Sequence, residues 1–371
     1  MKNTVIILTS DYTGHGHKSI TESLCEELSK DSNTEVIVVD GFALAGNFGL
    51  RVGKLYGSIT RKSKRLWKVI WDVSKNNPKA INKITKPLIR SKLIRLLHKV
   101  KPDVIISVHA NFVGPVLDIL EKQKMPIPFI TLLADLVSIS PLWLDKRADY
   151  VICPSEDTKQ ICLQYGYRES QLKVFKLPVR NRFVSHNIAY SGRTLKQGQV
   201  PTFLVMSGGE GVGDMGSQAE TLLENFDCNV KVLAGRNVRL KSELENTLCV
   251  KYPNRLEVYA FTEQVQDLML TSNIALTRGS PNVIMEAVNC ALPLIVFDAL
   301  PGQEEGNLQY VEKNNIGMVC KGLSQLKPIV NDLLSDNASK LNKLVASQIS
   351  FRDPDNTQKI AHFILDVCKN R

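Results

Sequence analysis

Short apolar runs alternate with polar, glycine-containing loops and helical repeats along the first half of the chain. Residues 4–9 form the first run, a polar loop follows, and apolar residues then recur every three to four positions over residues 18–28. Residues 35–39 form the next apolar run. This order of strand, loop, helix and strand predicts a doubly wound sheet of parallel strands.

The same alternation begins again after residue 201, so the two halves repeat one architecture. In the first half we predict further strands at 104–108, 129–133, 150–153 and 173–177, and a helix at 155–165. In the second half we predict strands from 202 and at 230–233, 256–259, 274–276 and 292–297, with helices at 217–224, 265–270 and 282–289. The fold class is therefore α/β, with two Rossmann-like doubly wound parallel-sheet domains.

The boundary between the domains is predicted from a polar stretch without a clear period. Residues 1–183 form the first domain, residues 184–200 the linker, and residues 201–354 the second domain. Apolar residues return at helical spacing within 355–371, and we expect this helix to cross back onto the first domain. Residues 50–100 are predicted as helical pieces broken by Pro78 and Pro87.

Composition narrows the class of protein. With 371 residues, 43% apolar and 23% charged, the chain is globular and long enough for two domains. No apolar run reaches the roughly 18–20 residues that span a bilayer, and the N-terminal run is too short for a signal peptide. The eight cysteines include no C-x-x-C pair, which favours reduced thiols in the cytoplasm over a zinc site or a disulfide framework.

The positive charge is concentrated in one segment. Residues 51–101 contain sixteen Lys/Arg and one acidic residue, a net charge of +15, so the rest of the chain carries −5 of the total of +10. Within this segment Trp67 and Trp71 are four residues apart, with Arg65 and Lys68 beside them. This combination is typical of a helix on an anionic membrane surface. Two alternatives are a solvated basic face with its tryptophans in the core, and a nucleic-acid site. We expect no nucleic acid, because no recognition motif appears.

Two glycine-rich loops follow predicted strands and precede predicted helices. The loop 207–213 contains Gly208, Gly209, Glu210 and Gly211, and its amides and the following helix N-terminus suit a phosphate. The alternatives are a dinucleotide site, from whose G-x-G-x-x-G spacing this loop departs, and a simple turn. The earlier loop contains Gly14, Gly16 and His17. A histidine there can act as a general base or only cap the helix.

Two more polar residues follow strands of the first half. His109 comes after residues 104–108 and Asp135 after residues 129–133. Each alone is typical of a structural hydrogen bond. Together with His17 they would lie along the carboxyl edge of one sheet, where open α/β sheets bind ligands.

Polar residues are densest around the predicted helix 282–289. Before it come Gly279, Ser280 (a candidate N-cap) and Pro281, and Asn282 opens the helix, whose positive end suits an anion. Glu286 lies one turn further on. Gln303, Glu304 and Asn307 follow the next buried strand, and packing does not account for so many polar side chains.

Taken together, these residues resemble the monogalactosyldiacylglycerol synthase and processive diacylglycerol glucosyltransferase group, in glycosyltransferase family 28. In the first half the resemblance is carried by TSDYTGHGHKSI (9–20), ISVHANF (106–112), LLADLVSISPLW (132–143) and residues 153–183. In the second half it is carried by SGGEGVG (207–213), LAGRN (233–237), the Phe261 segment, TRGSPNVIMEA (277–287) and PGQEEGN (301–307).

The resemblance implies a GT-B fold whose two domains face each other across a cleft, with a UDP-sugar on the second domain and a diacylglycerol-type acceptor on the first. Glu286 would hold the ribose, and Gln303 and Glu304 the sugar hydroxyls. The remaining donor-site residues that it implies are Gly208, Gly209, Glu210, Gly211, Arg236, Phe261, Gly279, Ser280, Pro281, Asn282 and Asn307. His17 would be the acceptor base and Asp135 a second candidate base or an orienting group.

On the acceptor and membrane side we place Gly14, Gly16, His109, Arg65, Trp67, Lys68 and Trp71. The expected reaction is an inverting transfer without a cofactor or a metal, by a cytoplasmic protein bound peripherally to the inner face of the cell membrane. The alternatives are a UDP-GlcNAc-dependent transferase with a polyprenyl-linked acceptor, a UDP-sugar epimerase of the same fold, and a lipid-binding protein without turnover.

Overall fold

Alternating strands and helices divide the chain into two units. The structure is a computed structural model that describes residues 2–11, 15–184, 192–209, 211 and 213–370, apart from the side chains of His15 and of residues 56–62. The first unit comprises Met1–Arg180, Leu300–Gly306 and Asp355–Arg371, and the second comprises Asn181–Ala299 and Asn307–Pro354. Of the predicted linker, residues 185–191 lie outside the described residues.

The first unit is built on a sheet of six parallel strands. In chain order they are β1 (Asn3–Thr9), β2 (Thr34–Asp40), β3 (Val104–Ser107), β4 (Phe129–Leu132), β5 (Tyr150–Cys153) and β6 (Leu172–Val174). Their order in the sheet is β2-β1-β3-β4-β5-β6. Val5 to Leu8 of β1 are fully buried, as a strand requires when helices cover both faces of its sheet.

Seven helices of the first unit follow in chain order. They are α1 (His15–Leu28), α2 (Gly41–Leu44), α3 (Gly46–Lys62), α4 (Lys64–Asn76), α5 (Pro78–Val100), α6 (Val113–Gln123) and α7 (Glu156–Tyr165). Pro78 begins α5 at its first turn, where its missing N–H costs nothing. The predicted break at Pro87 is wrong, because α5 continues through this residue to Val100.

The second unit has its own sheet of six parallel strands. They are β7 (Thr202–Met206), β8 (Asn229–Gly235), β9 (Leu256–Ala260), β10 (Ile274–Arg278), β11 (Leu294–Asp298) and β12 (Gly317–Val319), in the order β12-β11-β10-β7-β8-β9. Its helices are α8 (Met215–Asn225), α9 (Val238–Asn246), α10 (Leu248–Lys251), α11 (Val265–Leu270), α12 (Pro281–Asn289), α13 (Glu305–Lys313) and α14 (Leu323–Phe351). Backbone angles leave the helical region at Ser335 to Ala338, so α14 is kinked there.

The last helix, α15 (Asn356–Lys369), belongs to the first unit. The Asn356 side chain accepts from the Lys176 amide at 2.7 Å and donates to the Lys176 carbonyl at 2.8 Å. Ile360 and Ile364 are fully buried. The predicted α/β class with two Rossmann-like parallel-sheet domains is confirmed. Within the described part of the chain, no helix combines the length and the apolar character needed to cross a bilayer.

Candidate functional site

Each sheet has one point where the chain reverses its direction of winding. In the first unit this point lies between β1 and β3, and in the second between β7 and β10. Open α/β sheets bind ligands beyond the carboxyl ends of the strands at such a point. His17 lies in the first turn of α1, which comes after β1, and His109 follows β3. The glycine loop follows β7, and the start of α12 follows β10.

The loop after β7 holds its glycines under real steric constraint. Gly208 and Gly211 have φ of 71° and 61°, a region that favours glycine. A Cβ on Gly211 would lie 1.9 Å from the Ala234 carbonyl oxygen, whereas a Cβ on Gly208 would meet open space. The Gly209 carbonyl accepts from the Arg236 amide at 2.9 Å. The loop is thus pinned to the end of β8, with an open side at Gly208. Glu210 lies outside the described residues.

The α12 N-terminus is held by backbone rather than by a side-chain cap. Pro281 occupies the first turn as predicted, but the Ser280 side chain makes no capping hydrogen bond in the described structure. The Gly279 amide donates to the Asp298 carbonyl at 2.7 Å, and the Asn307 side chain donates to the Gly279 carbonyl at 2.8 Å. This fixes the loop before α12, leaving the helix start to offer its positive end, with Asn282 in the first turn.

Two further groups of the second unit lie near the ends of its strands. Glu286 is buried within α12, one turn from its start. The Arg236 guanidinium lies 4.1 Å from the centroid of the Phe261 ring, a cation–π contact between two exposed side chains that follow β8 and β9. Asn307, predicted to contact the donor, is fully buried, and its side-chain amide donates to the Gly279 carbonyl.

In the first unit, His17 and His109 pack together. Their ring centroids are 4.5 Å apart. The His17 Nδ1 lies 2.6 Å from the Val108 carbonyl oxygen, and the Asn111 amide donates to the His109 Nδ1 at 3.2 Å. Burial lowers the pKa of His17 to about 4, and burial together with the neighbouring His17 lowers the pKa of His109. Both rings are therefore neutral near pH 7.

These two hydrogen bonds give the histidines different tautomers. The Val108 carbonyl can only accept, so the Nδ1 of His17 carries the proton and its Nε2 presents a lone pair. The Nδ1 of His109 accepts from a backbone amide and caps a short 3₁₀ helix at Ala110–Phe112. His109 thus makes a structural hydrogen bond through its Nδ1, whereas the hydrogen bond of His17 does not use the lone pair of its Nε2. Gly16 precedes His17 in α1, and Gly14 lies outside the described residues.

Asp135 follows β4, is buried, and accepts two hydrogen bonds from side chains. Its Oδ2 accepts from the Trp143 Nε1 at 3.0 Å, and its Oδ1 accepts from the Gln303 Nε2 at 2.9 Å. Burial raises the pKa of Asp135 to about 6, the nearby Glu304 adds to this shift, and the two hydrogen bonds oppose it. The Trp143 ring lies 6.3 Å from that of His17. Sequence reasoning did not single out Trp143 as a site residue, although it ends the motif at 132–143.

The predicted sugar-contacting residues belong to the first unit. Gln303 and Glu304 lie in the segment Leu300–Gly306, which comes after β11 and ends in the first turn of α13. Glu304 is buried, and its Oε2 accepts from the Leu300 amide at 2.8 Å. The structure therefore brings Gln303 and Asp135 together, which no sequence pattern indicated.

The tryptophans of the basic segment are buried, which corrects the expectation that they contact a membrane. Trp67 and Trp71 are 2% and 7% exposed, and they form a small core with Leu300. The alternative of a solvated basic face over core tryptophans matches this arrangement. Arg65 and Lys68 are exposed, and Lys68 pairs with Asp72 at 3.3 Å on the same helix.

Solved structures share the fold over nearly the whole chain. The MurG protein of Acinetobacter baumannii matches with a TM-score of 0.66 and 13% identity, covering 98% of this chain and 99% of that one. The Anabaena protein Alr3699/HepE, solved with UDP and glucose, matches with a TM-score of 0.57 and 14% identity over all of both chains. A UDP-GlcNAc 2-epimerase of Neisseria meningitidis matches with a TM-score of 0.62 and 14% identity, covering 99% of this chain and 100% of that one.

Sequence comparison matches this chain to monogalactosyldiacylglycerol synthases. The family model described as monogalactosyldiacylglycerol (MGDG) synthase matches residues 17–179. A probable chloroplastic monogalactosyldiacylglycerol synthase of Glycine max is 28% identical over 99% of this chain and 72% of its own length. The enzyme of Spinacia oleracea is 27% identical over 99% and 73%. The chain is thus similar to monogalactosyldiacylglycerol synthases over nearly its whole length, and its two parallel-sheet units have the GT-B fold.

Proposed function

We propose that this protein transfers a hexose from a UDP-sugar to diacylglycerol, or to a glycosyl-diacylglycerol, at a membrane surface. The relatives named as monogalactosyldiacylglycerol synthases support this substrate class. The observation that carries the proposal is the state of His17. Its ring is neutral, and the Val108 carbonyl directs a free lone pair to its Nε2.

The second unit supplies the chemistry for the donor. We assign the diphosphate to the open side of the glycine loop at Gly208 and to the start of α12, because the backbone at Gly208 is sterically accessible and the helix start is partly positive. Glu286 suits the ribose hydroxyls, since a buried carboxylate is a strong acceptor. Arg236 and Phe261 form a flat pair that suits the uracil. As UDP leaves, these groups stabilise its developing charge.

The first unit supplies the base. The acceptor hydroxyl oxygen attacks the anomeric carbon while its proton passes to the Nε2 of His17. The bond from that carbon to the UDP oxygen breaks, and UDP leaves with the electron pair. A single displacement of this kind inverts the anomeric configuration. Hydrogen bonds from Trp143 and Gln303 hold both carboxylate oxygens of Asp135 in place, and we assign it an orienting function.

The membrane contact, in this proposal, is made by exposed aliphatic and aromatic residues of α3, α4 and α5. They recur at helical spacing on the solvent side and are Phe48, Val52, Leu55, Leu66, Val69, Val73, Ile84 and Leu88. Lysines and arginines surround them, which suits an anionic leaflet. We therefore infer a peripheral protein on the anionic, inner face of the cell membrane.

The test is a product analysis with purified protein. Vesicles of phosphatidylglycerol with diacylglycerol or with a polyprenyl-linked acceptor are incubated with UDP-glucose, UDP-galactose or UDP-GlcNAc. Lipids and nucleotides are identified by mass spectrometry, and NMR gives the anomeric configuration of the product. We expect a hexosyl-diacylglycerol of inverted configuration with UDP-glucose or UDP-galactose. Conversion of UDP-GlcNAc to its 2-epimer, or transfer of GlcNAc to a polyprenyl-linked acceptor only, would overturn the proposal. The His17→Ala variant is the control for background hydrolysis.

A further inference from the structure

A segment of seven residues belongs to a different unit from the strand before it and most of the helix after it. Leu300–Gly306 comprises most of the loop after β11 and the first two residues of α13, and its contacts place it in the first unit. The Leu300 side chain is buried with Trp67 and Trp71 of α4. At the other end, a Cβ on Gly306 would lie 2.8 Å from Val137 and Ser138, just beyond Asp135. The loop is thus fixed at both ends by residues of the first unit.

The middle of the loop lies directly on an indole ring. A Cβ on Gly302 would be 2.3 Å from the Cδ1 and 2.4 Å from the Nε1 of Trp71. Gly302 also has φ of 80°, where side chains other than glycine are strained. No other residue type fits this position without moving either the backbone or the indole. The Trp71 ring therefore sets the path of the backbone immediately before Gln303.

The position of Gln303 follows from that path. Its amide nitrogen donates to Asp135 at 2.9 Å, and Asp135 is held in turn by the indole of Trp143. The indole of Trp71 contacts the loop at Gly302, and the indole of Trp143 donates to Asp135, the carboxylate that accepts from Gln303. All three tryptophans of the chain therefore surround this loop or its carboxylate partner.

We propose that Trp71 and Gly302 form a seat that positions Gln303, and that recognition of the donor's hexose depends on this seat. The inference rests on the proposed contact between Gln303 and the sugar. Trp71 is then a positioning residue: it acts through the loop and does not touch the substrate. The same helix carries Val69 and Val73 on its exposed side, so α4 has one face for the loop and another for solvent.

The experiment compares ligands with and without the hexose. For wild type, Gly302→Ala and Trp71→Phe, calorimetry gives the Kd of UDP and of each UDP-hexose, and steady-state assays with a short-chain diacylglycerol in detergent give KM and kcat. We expect UDP affinity to stay within about twofold. UDP-hexose affinity should fall roughly tenfold, because only contacts to the sugar are lost. For the same reason the preference between UDP-glucose and UDP-galactose, which differ in configuration at C4, should become smaller.

Matched variants separate positioning from loss of stability. Gly322→Ala adds a Cβ in open space, and Leu97→Ala truncates a buried side chain of α5 that lies outside the cluster of Trp67, Trp71 and Leu300. We expect both to leave the ratio of UDP-hexose to UDP affinity near the wild-type value, although Leu97→Ala lowers the Tm. The double variant Gly302→Ala/Trp71→Phe should be less impaired than the product of its single effects, because the ring that clashes with the added methyl is smaller.

Two results would overturn the proposal that Trp71 and Gly302 position Gln303. One is a folded Gly302→Ala protein whose UDP-hexose to UDP affinity ratio and donor preference match wild type. The other is an equal loss of affinity for UDP and UDP-hexose, which indicates general damage. Both readouts are binding measurements, so they remain informative if no lipid product forms. Failure of the proposed function and failure of this inference are therefore distinguishable.

Discussion

At the scale of the residue, His17 and His109 show how one hydrogen bond decides chemistry. Both rings are neutral and they pack against each other. His109 uses its Nδ1 lone pair to accept from the Asn111 amide, and His17 uses its Nδ1 proton to donate to the Val108 carbonyl. Only His17 is thereby left with its Nε2 lone pair, which a general base requires.

Replacing His17 should therefore affect turnover far more than donor binding. We expect His17→Ala to lower kcat by about 10²–10⁴-fold, the usual contribution of a general base, with the Kd of UDP unchanged. Steady-state kinetics and calorimetry measure the two effects. The Ser138→Ala variant is a control for changes near the site. Near-normal turnover of His17→Ala would show that another group takes the proton.

The pH dependence of stability should also report on His17. Its folded pKa of about 4 lies below the unfolded value of about 6.5. Between these values the unfolded chain binds a proton that the folded chain does not. The stability due to a neutral His17 is thus complete above pH ~6.5 and is lost as the pH falls toward 4. Denaturant unfolding at about pH 7.5 and 5 should show wild type losing more stability than His17→Ala. An equal loss in both proteins contradicts the lowered pKa.

At the scale of the element, α4 has two apolar faces with different functions. Trp67 and Trp71 face inward, whereas Leu66, Val69 and Val73 face outward with Val69 57% exposed. A spacing of four residues shows that two side chains share a helix face, but it does not show whether that face is buried. For this reason the spacing of the tryptophans led to the wrong prediction that they contact a membrane.

The two faces should respond differently to substitution. We expect Trp67→Ala to lower the free energy of unfolding by about 3–5 kcal/mol, because it empties a packed site. We expect Val69→Ser to leave stability nearly unchanged and to weaken sedimentation with anionic vesicles several-fold. Val250→Ser, at a similarly exposed position of the second unit, is the control. If Val69→Ser and Val250→Ser bind vesicles equally, the outward face of α4 does not contact lipid.

Strands and helices were predicted best where the pattern of buried positions stayed the same along the whole element. The predicted strand at 150–153 and helix at 265–270 have the observed bounds, and the other predicted strands overlap observed ones. The edge strand β12 has only three residues and escaped prediction. Pro87 did not end α5, because packing of buried residues beyond it, such as Leu93 and Leu97, outweighs one lost hydrogen bond.

The site was predictable only in part, for a similar reason. Strand ends located His17, His109 and Asp135, since the topology brings such ends to one edge of a sheet. The bond between Gln303 and Asp135 joins residues 168 positions apart in the chain. No local pattern encodes a contact of that separation. The burial of Asn307 against Gly279 was hidden for the same reason.

At the scale of the whole molecule, charge is distributed very unevenly. Residues 51–101 carry +15 and the remaining chain −5. The excess positive charge that would attract an anionic membrane therefore lies on α3, α4 and α5. Basic residues near an anionic bilayer contribute about 1 kcal/mol each, and salt screens this attraction. Membrane association should therefore depend on lipid charge and on ionic strength.

We expect binding to phosphatidylglycerol vesicles to weaken at least about tenfold between roughly 50 mM and 300 mM salt. Phosphatidylcholine vesicles, which lack net charge, should bind weakly at both concentrations. Sedimentation or surface plasmon resonance measures the difference. Equal, salt-independent binding to both vesicles would mean that the aliphatic face alone drives association.

The contacts of Leu300–Gly306 and α15 have a consequence for how the protein is made. The first unit lacks Leu300–Gly306 until the ribosome has translated past Gly306, and it lacks α15 until the ribosome has translated past Lys369. At ~5–20 residues per second, the roughly 190 residues that follow Arg180 up to Lys369 take on the order of 10–40 s. In the first part of that interval Trp67 and Trp71 have no Leu300 to cover them, and throughout it the side of α1 that α15 packs against is bare. Newly made chains of this protein are therefore expected to need chaperones most while their first half awaits its missing parts.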